Sequence, residues 1–146
     1  MPLVSVVLPT FNEAGNIGLL IEGLLSALPP SSEIIVVDDD SPDLTWQVVE
    51  AMQGLDGRIR LIRRIGRRGL TTALQEGIRA AEGDYVFWMD CDLSQPPELI
   101  SRLLEVLKDQ DLYRSDACIP GTCRNAPPRL SDVLKNHQPI LRLVGI

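Results

Sequence analysis

Apolar residues fall along this chain in short blocks separated by longer stretches of helical spacing. LVSVVLP (3–9) and EIIVV (33–37) are compact, β-branched and nearly continuous in apolar character. Such runs predict strands covered on both faces. IRLIR (59–63) alternates and predicts a half-exposed strand near a sheet edge, while DYVFWM (84–89) is again of the buried type. Between these runs, Ile17, Leu20, Ile21, Leu24 and Leu28 recur at helical spacing, with Pro29-Pro30 as a stop. Trp46, Val49 and Met52 predict a shorter helix; Leu70, Ala73, Leu74, Gly77, Ile78 and Ala81 predict another, ended by Gly83. Pro96-Pro97-Glu98 places proline in the first turn of a fourth helix, whose apolar face is Leu99, Ile100, Leu103, Leu104 and Leu107.

Strands alternating with helices predict an α/β layer fold around a parallel sheet with right-handed crossovers. The alternation stops near residue 109. Residues 1–109 are expected to form the folded unit, and 110–146 an irregular tail outside it. The tail has scattered prolines, a weak strand signal at 117–119 and a terminal apolar patch.

A net charge of −6 argues against a nucleic-acid binder working through a broad basic surface. One local exception is the cluster Arg58, Arg60, Arg63, Arg64, Arg67 and Arg68, which suits phosphates or anionic headgroups as well as a solvated strand edge. Three cysteines without close pairing point to a reducing compartment. Cys118, Cys123 and His137 lack a fourth ligand for a zinc site. No run reaches the roughly 18 apolar residues of a membrane span, and Met1-Pro2-Leu3-Val4 has no basic region of a signal peptide. The expected location is cytoplasmic, including the cytosolic face of a membrane.

In open parallel sheets, ligands bind beyond the carboxyl ends of the strands. Three such ends are polar here: PTFNEAGN (9–16), DDDSPD (38–43) and DCDLSQPPE (90–98). Carboxylates gathered at one edge repel each other unless a cation sits among them. Asp90 and Asp92, at i and i+2, project to the same side if strand conformation persists that far. Two hard oxygen donors suit Mg²⁺ or Mn²⁺, which takes its remaining ligands from water and phosphates. A nucleoside diphosphate held through metal is the expected ligand, since no GxxxxGK[ST] or GxGxxG follows the first strand. The competing reading is a turn carrying two solvated carboxylates. Asn12 and Glu13 likewise suit a helix cap, and Cys91 a small core residue.

VSVVLPTFNEAGNI, EIIVVDDDSPDLT and RRGLTTALQEGIRAAEGDYVFWMDCDLSQPPELI together resemble the successive motifs of family 2 glycosyltransferases, over roughly residues 3 to 108. The likeness is strongest to the branch that mannosylates dolichyl or polyprenyl phosphate. The resemblance implies a GT-A fold with helices on both faces of a mostly parallel sheet. It also implies inversion at the anomeric carbon, a GDP-mannose-like donor and a lipid-phosphate acceptor; UDP-glucose is the nearest alternative donor. Pro9, Phe11 and Glu13 match the loop that holds the base. Asp39 matches the aspartate contacting the nucleoside, with Asp38 beside it, and Arg68 and Gly69 match the loop near the diphosphate. Asp90 and Asp92 match the D-x-D pair, as metal ligands and catalytic residues, with Cys91 between them counted in the donor site. Ser94 stands where the branch often has a glutamine ligand, with Gln95 next, and Leu44 stands where glycine is usual.

A lipid phosphate is already anionic, so its attack on the sugar needs no strong base. DACIPGTCR (116–124) departs from the motif expected of the branch's second half. One expectation is therefore a truncated or frame-shifted chain, a nucleotide-sugar-binding module without turnover. A phosphoacceptor receiver domain is a weaker alternative, because a full strand-helix unit precedes the acidic strand.

Overall fold

The computed structural model describes residues 4–109 and 142–145. Five parallel strands form one sheet: β1 (Val4–Thr10), β2 (Ser32–Asp38), β3 (Ile59–Arg63), β4 (Tyr85–Trp88) and β5 (Arg142–Gly145). The helices α1 (Ile17–Ala27), α2 (Thr45–Gln53), α3 (Leu70–Ala80) and α4 (Glu98–Asp109) alternate with them.

The sheet order is β3-β2-β1-β4-β5, so the chain winds outward from β1 to β3 and then crosses back to β4. Residues of β1 divide by the two-residue strand period. Val4, Val6 and Leu8 face a core with Ile17, Leu20, Ile21 and Leu24 of α1, Val49 of α2, and Ile100 and Leu104 of α4. Val7 faces the other way, with Ile35, Val37 and Val86, onto Ala73, Leu74 and Ile78 of α3. Helices thus cover both faces, as the continuous apolar strands require. Phe87 is fully buried between them.

Helix α3 lies unusually close to the sheet because Gly77 faces it. A Cβ there would come within 2.3 Å of Val7 Cγ1 and 3.0 Å of Val37 Cγ2. This approach brings the N-terminus of α3, and the loop before it, against the ends of β1 and β2.

Strand β3 lies at one edge, as its alternation predicts. The opposite edge is β5, whose Arg142 to Gly145 pair with Tyr85 to Trp88. These four residues fall in the segment assigned by sequence to an irregular tail; the sheet includes them. The strand signal at 117–119, and Cys118, Cys123 and His137, lie outside the described residues. No helix among the described residues is long and apolar enough to cross a membrane.

Candidate nucleotide and metal site

The change of winding direction falls between β1 and β4, which opens a crevice where their carboxyl ends diverge. A cleft of about 270 Å³ lies beside this switch point, at the carboxyl ends of β1 and β2 and the start of α3, lined by Pro9, Thr10, Phe11, Asp39, Arg68, Gly69, Leu70 and Ala73. Five residues expected at the donor site (Pro9, Phe11, Asp39, Arg68 and Gly69) therefore meet on one wall system.

The loop after β1 is held by side chains from the loop after β2. The backbone N–H of Asn12 donates to Ser41 Oγ, at 3.0 Å. That of Glu13 donates to Thr45 Oγ1, and that of Ala14 to Asp43 Oδ2, each also at 3.0 Å. Ser41 Oγ in turn donates to Asp38 Oδ1 and Thr45 Oγ1 to Asp43 Oδ1, at 2.7 and 2.6 Å. Three amides that no strand or helix satisfies are thereby paired, fixing the turn that carries Phe11. Asp43 also accepts from the Thr45 N–H and so caps α2, although Leu44 occupies the formal cap position. Burial alone would raise the Asp43 carboxyl, but hydrogen bonds from the Thr45 hydroxyl and the Ala14 and Thr45 amides hold it below its ordinary 3.8.

Asp38 is fully buried and turned inward. Its carboxylate accepts from Thr10 Oγ1 at 2.9 Å, Ser41 Oγ at 2.7 Å and Ser41 N at 2.8 Å. It builds the loop rather than facing the cleft. Glu13 is partly buried; its carbonyl accepts the Asn16 and Ile17 amides and its carboxylate accepts Asn16 Nδ2, so it serves the start of α1. Asn12, at φ 60°, makes no side-chain cap there.

The arginine cluster is not one basic patch. Arg58 pairs with Asp56, Arg60 with Glu33 and Glu82, Arg63 with Asp40, Arg64 with Asp39, and Arg67 with Glu76. Arg68 instead lies over Phe11, its guanidinium carbon 4.3 Å from the ring centroid. Gly69 follows at φ 135°, a backbone geometry that disfavours any side chain. Its N–H donates to Asp39 Oδ2 at 2.8 Å.

Strand β4 ends at Trp88, before the aspartates. Asp90 lies beyond the strand and Asp92 in the bend that follows, so the i, i+2 argument from strand pleat does not place them. Leu93 reverses the chain at φ 61°. Both carboxylates are exposed. Ser94, through its hydroxyl and its backbone N–H, holds the Asp92 carboxyl below its ordinary value, and that N–H lies 2.9 Å from Asp92 Oδ1. Ser94 thus orients Asp92, and Gln95 lies in the same turn. Cys91 points the other way. It is 3% exposed, packs in the core, and directs its thiol at Pro9 O, 3.6 Å away. Burial first, then the Glu13, Asp90, Asp92 and Asp38 carboxylates, push that thiol up, which keeps it protonated and inert.

Among the described residues no three His, Cys, Asp or Glu side chains gather into a metal cage. The premise that carboxylates at the strand ends need a shared cation fails for β2. There Asp38 is satisfied by hydroxyls and an amide, and Asp39 is charge-paired with Arg64 and accepts the Gly69 N–H. Asp90 and Asp92 alone retain the character of metal donors, two open hard oxygens that fit part of a Mg²⁺ or Mn²⁺ shell. Thr10, Ser41, Asp43, Thr45 and Arg64 were not singled out by sequence as site residues. The signal available was the density of Ser, Thr and Asp around the second strand end, the composition of self-bonding loops.

The model of "Glycosyl transferase family 2" matches residues 5–130, beyond the stretch in which motifs are readable. A dolichol-phosphate mannosyltransferase of Pyrococcus furiosus is 43% identical over 109 residues, covering 73% of this chain and 30% of that protein. Among solved structures, the mannosyltransferase PcManGT from Pyrobaculum calidifontis, in complex with GDP-Man and Mn²⁺, aligns with a TM-score of 0.65 at 29% identity. It covers 73% of this chain and 32% of its own. Glucosyl-3-phosphoglycerate synthase from Mycobacterium tuberculosis, with Mn²⁺, UDP and glucosyl-3-phosphoglycerate, aligns with a TM-score of 0.60 at 27% identity, covering 73% and 39% respectively. The chain spans about a third of the length of these relatives.

Proposed function

This chain belongs to glycosyl transferase family 2, and from that premise we propose that it transfers mannose from GDP-mannose to a polyprenyl or dolichyl phosphate. The observation carrying the proposal is the meeting of Phe11, Asp39, Arg68 and Gly69 in one cleft, at a sheet edge that also presents Asp90 and Asp92. Phe11 and Arg68 offer a flat apolar and cationic surface on which a base stacks. Asp39 lies beside it to meet the nucleoside, and the Arg68 guanidinium, without a carboxylate partner among the described residues, would contact the diphosphate. The P. furiosus relative and the GDP-Man complex of PcManGT support mannose and guanine.

Asp90 and Asp92 would hold Mg²⁺ or Mn²⁺, and the Mn²⁺ complexes of the neighbours favour Mn²⁺. When bound, the ion neutralises the charge that builds on the departing diphosphate. Ser94, whose backbone N–H donates to Asp92 Oδ1, holds that carboxylate aimed for the task. The acceptor phosphate attacks the anomeric carbon while the bond to the diphosphate breaks, inverting that centre. The acceptor arrives anionic, so no side chain of the cleft need take a proton.

Contact with the cytosolic face of a membrane belongs to the same proposal. Ile65 in the loop and Leu70 at the start of α3, 70% and 55% exposed, flank Arg67 and Arg68. Exposed apolar residues beside cations suit a headgroup layer. Incubation of the purified chain with radiolabelled GDP-mannose, polyprenyl phosphate and Mn²⁺ should yield lipid-soluble label. Donor binding without such label would overturn transfer and favour a nucleotide-sugar-binding module.

A further inference from the structure

Arg64 is 1% exposed and the largest fully buried side chain among the described residues. Its five neighbours in the arginine cluster are partly or fully exposed. The Arg64 backbone N–H extends the β2–β3 ladder by donating to Asp38 O at 2.8 Å, which draws the side chain beneath the loop of residues 65–69. There Nε lies 2.8 Å from Asp39 Oδ1, and Nη2 donates to Thr72 Oγ1 at 2.9 Å. Thr72 Oγ1 donates in turn to Gly69 O, while Asp39 Oδ2 receives the Gly69 N–H. One guanidinium therefore braces both the carboxylate and the loop that form a wall of the cleft. Neither Arg64 nor Thr72 lines that cleft itself.

The arrangement is poor as a stability device. Nε and Nη1 have no hydrogen-bond acceptor in line, and Nη1 is 4.0 Å from Glu76 Oε2. A buried ion pair with incomplete partners commonly stabilises less than an apolar residue of similar volume would. Local rules are broken in this way most often where a site needs the exception. We infer that Arg64 is a positioning residue for the nucleoside side of the donor site, fixing the Asp39 carboxylate and the Gly69 amide from behind. This rests on the proposed assignment of the cleft to the nucleoside.

The test compares Mn²⁺-dependent binding of GDP and of pyrophosphate by calorimetry. Arg64→Met should weaken GDP roughly tenfold and weaken pyrophosphate, held chiefly through the metal at Asp90 and Asp92, by clearly less. Asp39→Asn should absorb the effect, so that Arg64→Met adds little on top of it. Thr72→Val, a milder change at an exposed position, should weaken GDP in the same direction and keeps the test open if Arg64→Met does not fold. Equal losses for GDP and pyrophosphate would mean general loosening and overturn the inference. Unchanged GDP affinity in the Arg64 and Thr72 variants, with wild type binding normally, would overturn it alone. Absence of GDP binding by wild type would overturn the cleft assignment and this role together.

Discussion

Leu44 adopts φ 66° and ψ 28°, the left-handed region, with its side chain 47% exposed. It occupies the position where the family resemblance leads one to expect glycine, and the backbone supplies the reason. A leucine that stays 47% exposed gains little burial there to offset the steric cost. Leu44→Gly should stabilise the chain by about 1 kcal/mol, read as a higher melting temperature. Asp43 is the complementary case, a carboxylate that the fold rewards. Its folded pKa lies below the ordinary 3.8, so its stabilisation is present above that value and is lost as pH falls through the folded one. Asp43→Ala should cost about 1 kcal/mol at neutral pH, the usual worth of a cap. The variant should also lose less stability than wild type in acid unfolding below pH 3.8. The family resemblance pointed to Phe11 and Arg68, and residue types alone to the D-x-D pair. They did not separate Asp38 from Asp39, because adjacent carboxylates in one motif differ only in direction, and direction is set by Thr10, Ser41 and Arg64.

At the scale of elements, the four helices and first four strands were legible because each carries its own period: strand runs covered on both faces, or a helix stripe with a proline or glycine stop. Strand β5 was not. It has four residues, RLVG, and its pairing with β4 joins positions more than fifty residues apart. Such a strand exists through its partner rather than its own pattern. The end of β4 was also misjudged, since nothing in WMDCD marks where pairing with β1 stops. Gly77 shows how one residue positions an element. Gly77→Ala would force a methyl group against Val7 and Val37 and lift α3 from the sheet. That should cost roughly 1–3 kcal/mol in denaturant unfolding. It should also weaken nucleotide binding, because the loop bearing Arg68 and Gly69 moves with α3.

For the molecule as a whole, a net charge of −6 opposes the binding of a polyanion. The resolution is local. Carboxylates around β2 are absorbed by hydroxyls, amides and Arg64, Arg68 has no carboxylate partner among the described residues, and under the proposed function the two exposed aspartates would need a cation before a diphosphate approaches. The central claim is thus that donor binding is obligately metal-dependent through Asp90 and Asp92. Calorimetric titration of GDP-mannose into the chain, with and without Mn²⁺, beside Asp92→Ala, tests it most directly. Saturable binding that needs Mn²⁺ and disappears in Asp92→Ala is the predicted result; equal affinity without Mn²⁺, or in the variant, would contradict it.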